Sequence, residues 1–404
     1  MAQLLFLCDT YAPNIGGSET VLLECARGAS AAGHGVVVLV PQSACGRAEQ
    51  QEFDHGEPYL IKRSRVWAVL FRVGSCRHKL LNRVARAFIP PTIFIMAMTR
   101  GGLRADAVVA GHAVPAGNVA LWLGRLCRRP VMVITYGEEV TVYARGTRLR
   151  GWLRRVLRGA DVITCLTADS AAEIIEVEPA LKHPPMICPP PADEMILVTS
   201  PVEGEKVRRQ HGLERKRVML TVARLVPRKG IDVTLRAFAE TAADYPDLIY
   251  TVVGDGPHRA DLETLARELR VADRVLFLGH VENLAAWYHA CDMFVMPNRQ
   301  MPDGEREGYG IVFAEAGFAG KPVIGGRSGG AIDAIEHGVT GLLVDPSDHL
   351  AVADAIRQLL DDPPRATAMG LAGRERALRL SSSKAYRVRF NEVLRGAGFL
   401  PDVS

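Results

Sequence analysis

The sequence predicts an α/β protein of two tandem domains, each a doubly wound parallel sheet. Three observations carry that prediction. The chain has 404 residues, more than one ordinary domain of roughly 100–200 residues uses. Short apolar runs alternate with helical patterns from the first residues onward. A proline-dense stretch at 183–191 interrupts the alternation, which then begins again. The composition agrees: hydrophobic residues make up 48%, enough for sizeable cores, and 23% charged residues exclude disorder as the dominant state.

Taken in order, residues 4–8 form a short apolar run, as a strand covered on both faces of a parallel sheet requires. A turn-rich stretch follows at 11–18. Ser18 is the expected N-cap of a helix that places Val21, Leu22, Cys25 and Ala29 on one face. Gly33 ends that helix, and 36–40 is the next strand. Further strands are expected at 107–110, 131–135 and 162–165. Residues 183–191 read His-Pro-Pro-Met-Ile-Cys-Pro-Pro-Pro. So many prolines exclude a helix or a central strand and point to a stiff linker. Strands are then expected at 218–222, 248–253, 275–278, 293–296, 323–325 and 342–344, with helical patterns between them. The tail from about residue 381 is helical and amphipathic. The expected boundaries are therefore 1–190, 191–380 and a C-terminal helix over 381–404.

No apolar run reaches 18 residues, which excludes a spanning helix; the longest, 87–98, contains Pro90 and Pro91. The first nine residues have no basic flank and meet Asp9 at once, so no secretory leader is expected. Eight cysteines lie scattered without a Cys-x-x-Cys pair, which reads as reduced, buried thiols in a cytoplasmic protein. The formal net charge is only +4, but residues 62–158 hold 19 Lys/Arg against 3 Asp/Glu, a local balance of +16. That asymmetry points to an anionic partner, with a merely solvated basic surface as the bland alternative.

Several positions are candidates for chemistry. Gly16-Gly17 lies between the first strand and the first helix, where bare backbone lets amides approach a phosphate; a plain tight turn fits equally well. Gly254-Asp255-Gly256-Pro257 is a second turn at a strand end. It is not a dinucleotide fingerprint, because Arg259 stands where a third glycine is needed. Gly320-Lys321-Pro322 is not a Walker phosphate loop, since no Ser or Thr follows the lysine. Arg224 and Lys229 follow the first strand of the second domain, at the carboxyl edge where open α/β sheets bind ligands. Two cations and a helix N-terminus there suit a diphosphate. In Glu305-Arg306-Glu307-Gly308-Tyr309-Gly310-Ile311-Val312-Phe313-Ala314-Glu315-Ala316, Glu307 sits in a glycine-flanked loop and Glu315 in the apolar helix after it. A carboxylate among Val312, Phe313 and Ala316 needs a partner, because burying it alone is costly.

Together these residues resemble the retaining, nucleotide-sugar-dependent glycosyltransferases of family GT4. The resemblance covers nearly the whole chain. It rests on Gly16-Gly17, Arg224 with Lys229, Gly254-Asp255-Gly256-Pro257, Glu307 with Glu315, Ser328-Gly329-Gly330-Ala331, and the stretch from Gly338 to Val344. The segments 224–230 and 296–310 look most like the phosphatidylinositol-mannoside mannosyltransferase branch. The resemblance implies the GT-B fold: two Rossmann-like domains facing across a cleft, the first binding acceptor, the second binding the nucleotide sugar, and the C-terminal helix returning to the first. It implies a hexose donor, GDP-mannose or a UDP-sugar, and an acceptor hydroxyl on a lipid-linked or cell-envelope glycan. Arg224 and Lys229 would hold the donor diphosphate, Glu307 the transferred sugar, Glu315 the ribose, and Val281 would lie near the base. The amides of Gly308, Tyr309, Gly310 and Ile311 would assist the phosphates, with Gly16, Gly17 and Gly254 completing the donor site. Where the family often carries a Thr-His-Gly element, this chain has Thr135-Tyr136-Gly137, so Tyr136 replaces the histidine and His112 is the other candidate at the reaction centre.

The expected activity is therefore a retaining hexosyl transfer, assisted by domain closure, with no metal and no cofactor beyond the donor, because no Asp-x-Asp metal motif ends a strand. The basic first half, interleaved with apolar residues as in 63–72 and 88–98, points to peripheral attachment on the cytoplasmic face of an anionic membrane. Two rivals remain: a nucleotide-sugar epimerase or hydrolase on the same fold, and a non-catalytic polyanion-binding protein. Against the second stand the intact carboxylate and cation set and an aromatic content of 6%. Nucleic acid is not an expected partner.

Overall fold

The computed structural model describes residues 1–14, 16–42, 46–74, 79–99, 102–145 and 147–399. The side chains of Arg72, Glu138 and Glu139 lie outside the described residues. The chain divides into two compact units, Met1–Pro191 with Ser383–Ser404 and Ala192–Ser382.

The first unit carries a seven-stranded parallel sheet in the order β3-β2-β1-β4-β5-β6-β7. Its strands are β1 (Gln3–Leu7), β2 (Gly35–Pro41), β3 (Leu60–Ser64), β4 (Ala107–Ala110), β5 (Val131–Ile134), β6 (Val162–Cys165) and β7 (Met186–Ile187). The central strands β4, β5 and β6 are buried along their whole length, which is why they read as unbroken apolar runs. β3 was not expected, and the 183–191 stretch contributes β7 where only a linker was expected. Both are edge strands. Lys62 and Arg63 hide β3 from an apolar pattern, and an edge tolerates the prolines flanking β7.

The first helix, Gly17–Ala31, corrects another expectation. Its N-cap is Gly16 rather than Ser18, whose hydroxyl instead donates to Oε2 of Glu19 at 2.8 Å. Val21, Leu22, Cys25 and Ala29 do share the buried face. The helix Lys79–Thr99 runs through both Pro90 and Pro91. Among the described residues no helix is long and apolar enough to cross a membrane, and six cysteines are free, five of them buried.

The C-terminal helix, Ser383–Gly396, packs on this same unit. Phe390 lies 6.4 Å from Phe6 between ring centroids, Tyr386 contacts the Cys25 thiol at 3.2 Å, and Arg387 pairs with Glu24 at 2.6 Å.

The second unit holds a six-stranded parallel sheet ordered β10-β9-β8-β11-β12-β13. The strands are β8 (Arg217–Val222), β9 (Leu248–Val253), β10 (Val275–Gly279), β11 (Met293–Met296), β12 (Val323–Gly326) and β13 (Gly341–Val344). Its core joins Met219, Tyr250 and Val295 from the sheet to Phe238, Ile356 and Leu359 from the covering helices. In each sheet the strand order reverses beside its first strand, between β1 and β4 and between β8 and β11. Those two reversals fix where loops diverge and leave a crevice at the carboxyl edge.

Candidate functional site

In the second unit the loops leaving β8 and β11 meet at the reversal point. The first carries Arg224, Arg228 and Lys229, ends in a single 3₁₀ turn at Pro227–Lys229, and passes through Gly230 into the helix Ile231–Ala242. Gly230 has φ 70, and a Cβ there would sit 2.1 Å from the Pro297 carbonyl oxygen. Only glycine lets this loop cross the one after β11 so closely. The Arg299 amide donates to the Arg228 carbonyl at 2.8 Å, and Arg299 pairs with Asp232 at 3.0 Å.

That crossing brings Glu307 onto the cations. The Lys229 ammonium donates to Glu307 Oε2, and Arg228 Nη1 lies 3.5 Å from the same oxygen. Arg228 also pairs with Glu305 at 2.9 Å. Glu307 and Lys229 are only 11% and 12% exposed. Burial by itself would push the Glu307 carboxyl up. Lys229, Arg228 and the Gly310 amide outweigh that and hold it below the ordinary range. Glu307 and Lys229 thus form one electrostatic unit rather than two independent contacts. Arg228 is a member that sequence reasoning missed; its only signal was its place beside Lys229 in a strand-end loop.

The Arg224 side chain is exposed and has no hydrogen bond or ion pair among the described residues. It is therefore the cation of this loop still open to an incoming anion. Gly310, at φ 81, is the N-cap of the helix Ile311–Phe318. The Gly330 amide donates to the Glu307 carbonyl at 2.9 Å, fixing the Glu307-Gly308 segment from a third loop. The Tyr309 side chain is buried, its hydroxyl 3.5 Å from Ser381 Oγ, so what it offers a ligand is its amide. Gly254 lies against the Ala223 backbone, where a Cβ would come within 2.0 Å of the carbonyl oxygen. Its close approach supports the Arg224 loop. Val281 is half-buried beyond β10, at the edge of the sheet.

Glu315 occupies the second turn of its helix and has the partner its setting demands: the Tyr288 hydroxyl donates to Oε2 at 2.6 Å. Burial raises its carboxyl to about 7, against the lowering effect of the Tyr288 hydrogen bond and with a further push from Asp193.

The first unit has its own cluster at the β1/β4 reversal. His112 follows β4, and its ring lies 5.1 Å from that of Tyr136, which follows β5. The two candidates for the reaction centre are thus neighbours. Asp9, just past β1, places Oδ2 3.9 Å from His112 Nδ1. Asp9 Oδ1 and His112 Nδ1 are buried with no hydrogen-bond partner among the described residues. Burial raises Asp9 to about 7, opposed by a hydrogen bond from the Ala116 amide. Burial lowers His112 to about 4, opposed by the charge of Glu19. Asp9 was overlooked in the sequence; an acid directly after an apolar strand was the available signal. At Gly16-Gly17 the Glu19 carboxylate folds back over the turn, held by the hydroxyls of Thr10 and Ser18.

Two parallel-sheet units, each reversing its strand order beside its first strand, define the GT-B class of glycosyltransferase fold. Solved structures agree on the fold: Anabaena HepE in complex with UDP has a TM-score of 0.78 at 21% identity, covering 98% of this chain and 100% of that one. Sucrose-phosphate synthase from Thermosynechococcus elongatus has a TM-score of 0.73 at 22% identity, covering 98% and 99%. The model for glycosyl transferases group 1 matches residues 203–376, and the one for glycosyltransferase family 4 matches residues 15–193. A GDP-mannose-dependent alpha-(1-6)-phosphatidylinositol monomannoside mannosyltransferase of Mycolicibacterium smegmatis is 36% identical over 297 residues, 72% of this chain and 76% of that protein. Its namesake in Mycobacterium tuberculosis (strain CDC 1551 / Oshkosh) is 30% identical over 384 residues, 93% of each. The chain belongs to the GT4 family of retaining glycosyltransferases, and it is a hexosyltransferase.

Proposed function

We propose that the enzyme transfers mannose from GDP-mannose to a hydroxyl of a lipid-linked, cell-envelope acceptor, with retention at the anomeric carbon. The observation that carries this reading is the Lys229–Glu307–Arg228 unit at the β8/β11 reversal, beside the unpaired Arg224. Arg224 and Lys229 take the donor diphosphate, Glu307 meets the sugar, and Glu315 accepts from the ribose hydroxyls. In the reaction the bond between the anomeric carbon and the diphosphate oxygen breaks, and the acceptor oxygen bonds to that carbon. The acceptor's proton passes to the departing phosphate on the same face. Preorganised cations stabilise the charge gathering on the leaving group, the largest single contribution in such sites. The reaction as proposed uses no metal and no cofactor besides the donor. The mannose assignment draws on the GDP-mannose-dependent activity of the relatives at 36% and 30% identity.

The acceptor is reached at an anionic membrane surface. The packed helices Arg65–Gly74 and Lys79–Thr99 leave Val66, Val69, Phe88 and Ile95 exposed, beside the exposed Arg65 and within the +16 segment. Two residues expected on that surface do not belong to it. Trp67 is fully buried in the core, and Arg63 is 9% exposed and paired with Asp54 at 2.8 Å.

The test is a donor panel. The protein is incubated with GDP-mannose, UDP-glucose and UDP-N-acetylglucosamine, with and without lipid extract, and released nucleotide diphosphate is measured. Release from GDP-mannose that depends on lipid supports the reading. Preference for a UDP-sugar overturns the donor, and release independent of lipid overturns the acceptor.

A further inference from the structure

A second concave site lies in the first unit, at the opposite edge of its sheet from Asp9, His112 and Tyr136. It opens at the amino ends of β5 and β6, bounded by Pro130, Val131 and Asp161, between the carboxyl ends of the helices Ala116–Cys127 and Thr147–Gly159. Its volume is about 870 Å³, within the range of small-molecule sites. A four-residue strand rises about 13 Å, so the two edges are separate places on the unit.

Charge sets this cavity apart. Seven cations line it, six of them arginines, against two carboxylates. Some of this has a structural explanation. Glu178, fully buried, takes Arg154 at 3.1 Å and Arg158 at 2.9 Å. Lys182 donates to the Gly159 carbonyl at 2.8 Å and to Asp161 at 2.7 Å, and Arg129 pairs with Asp106 at 3.5 Å. The two helix carboxyl ends add about half a negative charge each. An excess of about +3 survives these offsets, and the side chains of Arg125, Arg128 and Arg155 have no hydrogen bond or ion pair among the described residues. Arg128 also holds φ 54, a left-handed conformation glycine would adopt without strain. That conformation is the left-handed C-cap of the helix Ala116–Cys127, with the Arg128 amide donating to the Gly124 carbonyl. The guanidinium fork binds phosphate oxygens in pairs, which a cluster of lysines would not do. Glu178 holds two of the guanidinia in place before any ligand arrives.

We propose that this cavity binds a soluble small molecule carrying two or more clustered phosphate groups, at a site separate from the donor site. The open guanidinia line one concavity of about 870 Å³, a size that suits a compact anion. The assignment does not depend on which sugar the enzyme transfers.

The test uses the full chain and inorganic tripolyphosphate in calorimetry. The triple variant Arg125→Ser, Arg128→Gly, Arg155→Ser breaks no ion pair seen here, and glycine suits the left-handed position. Tripolyphosphate should bind the wild type with an affinity that falls as salt rises, and bind the variant at least tenfold more weakly, a change of about 1.4 kcal/mol. GDP affinity should be unchanged. Equal tripolyphosphate affinity for wild type and variant, or no binding to the wild type, overturns the proposal. So does a loss seen only in an Arg224→Ala variant, which would place the binding in the donor loop. A companion arm uses phosphatidylglycerol vesicles. If the triple variant loses vesicle binding while tripolyphosphate fails to bind the wild type, the cavity is a lipid contact and the soluble ligand is overturned.

Discussion

Replacing Glu307 by Gln tests whether this carboxylate touches substrate or only neutralises its neighbours. The residue faces Lys229 and, at 3.5 Å, Arg228. Removing one partner of a buried pair costs about 3–5 kcal/mol; with both partners slightly exposed and an acceptor retained in Gln, about 2–3 kcal/mol of stability should be lost here. Loss of a contact that acts on the transition state lowers turnover roughly 100- to 1,000-fold, or about 2.7–4 kcal/mol. The two effects separate in a cycle with Lys229→Gln. Thermal unfolding should show that adding Glu307→Gln to Lys229→Gln costs less stability than in the wild type, because the Lys229 charge is already gone and Arg228 keeps its pair with Glu305. Turnover per folded molecule should still fall at least tenfold in that background. If Glu307→Gln alone retains near-normal turnover, or costs no turnover once Lys229 is absent, Glu307 is a positioning residue and its assignment to the sugar is wrong.

Three further outcomes are expected. Arg224→Ala should weaken GDP binding at least tenfold while leaving guanosine binding unchanged, since the residue is assigned to phosphates; calorimetry showing equal losses for both removes that role. Guanosine affinity should rise between pH 6 and 8, because a ribose acceptor must be ionised and burial raises Glu315 to about 7; the rise should vanish in Glu315→Gln, and its persistence there assigns it elsewhere. Val66→Ser with Ile95→Ser should weaken sedimentation with acidic vesicles about tenfold; equal partitioning of the wild type onto neutral and acidic vesicles would remove the docking idea.

What could be read in the sequence divides along physical lines. The central strands were legible because a strand buried on both faces of a parallel sheet is a continuous apolar run, as Ala107–Ala110 and Val162–Cys165 are. β3 was not, because an edge strand carrying Lys62 and Arg63 need not be apolar. At the site, residue types and strand-end positions singled out Lys229 and Glu307 separately. Their pairing spans 78 residues and is made by loops leaving two strands that are neighbours only because the sheet order reverses. No local pattern encodes that. The expected role of Arg63 failed for a related reason: its partner Asp54 sits on the preceding helix, and composition counts charges without saying which are already matched.

Asp9 gives the sharpest separation of folding from function in the first unit. Its carboxyl is buried at the β1/β4 reversal with one oxygen unpartnered, 3.9 Å from a histidine that burial keeps neutral at pH 7. In the folded chain it titrates at about 7, above its ordinary 3.8. The folded state therefore binds the proton more tightly than the unfolded chain. Stability tied to this group is fully present below about pH 4 and is lost as pH rises towards 7. Asp9→Asn cannot ionise, so it should match the wild type in thermal midpoint near pH 4 and exceed it at pH 8. A protein that keeps such a group at a ligand-binding edge tolerates that loss most readily where the ionised form has work to do. The paired expectation is that Asp9→Asn loses transfer activity at pH 8 even though it is the more stable protein there. A midpoint difference independent of pH would show that the carboxyl is not perturbed. A variant more stable at pH 8 and as active as the wild type would make Asp9 a passive buried acid and return the reaction centre to His112 and Tyr136 alone.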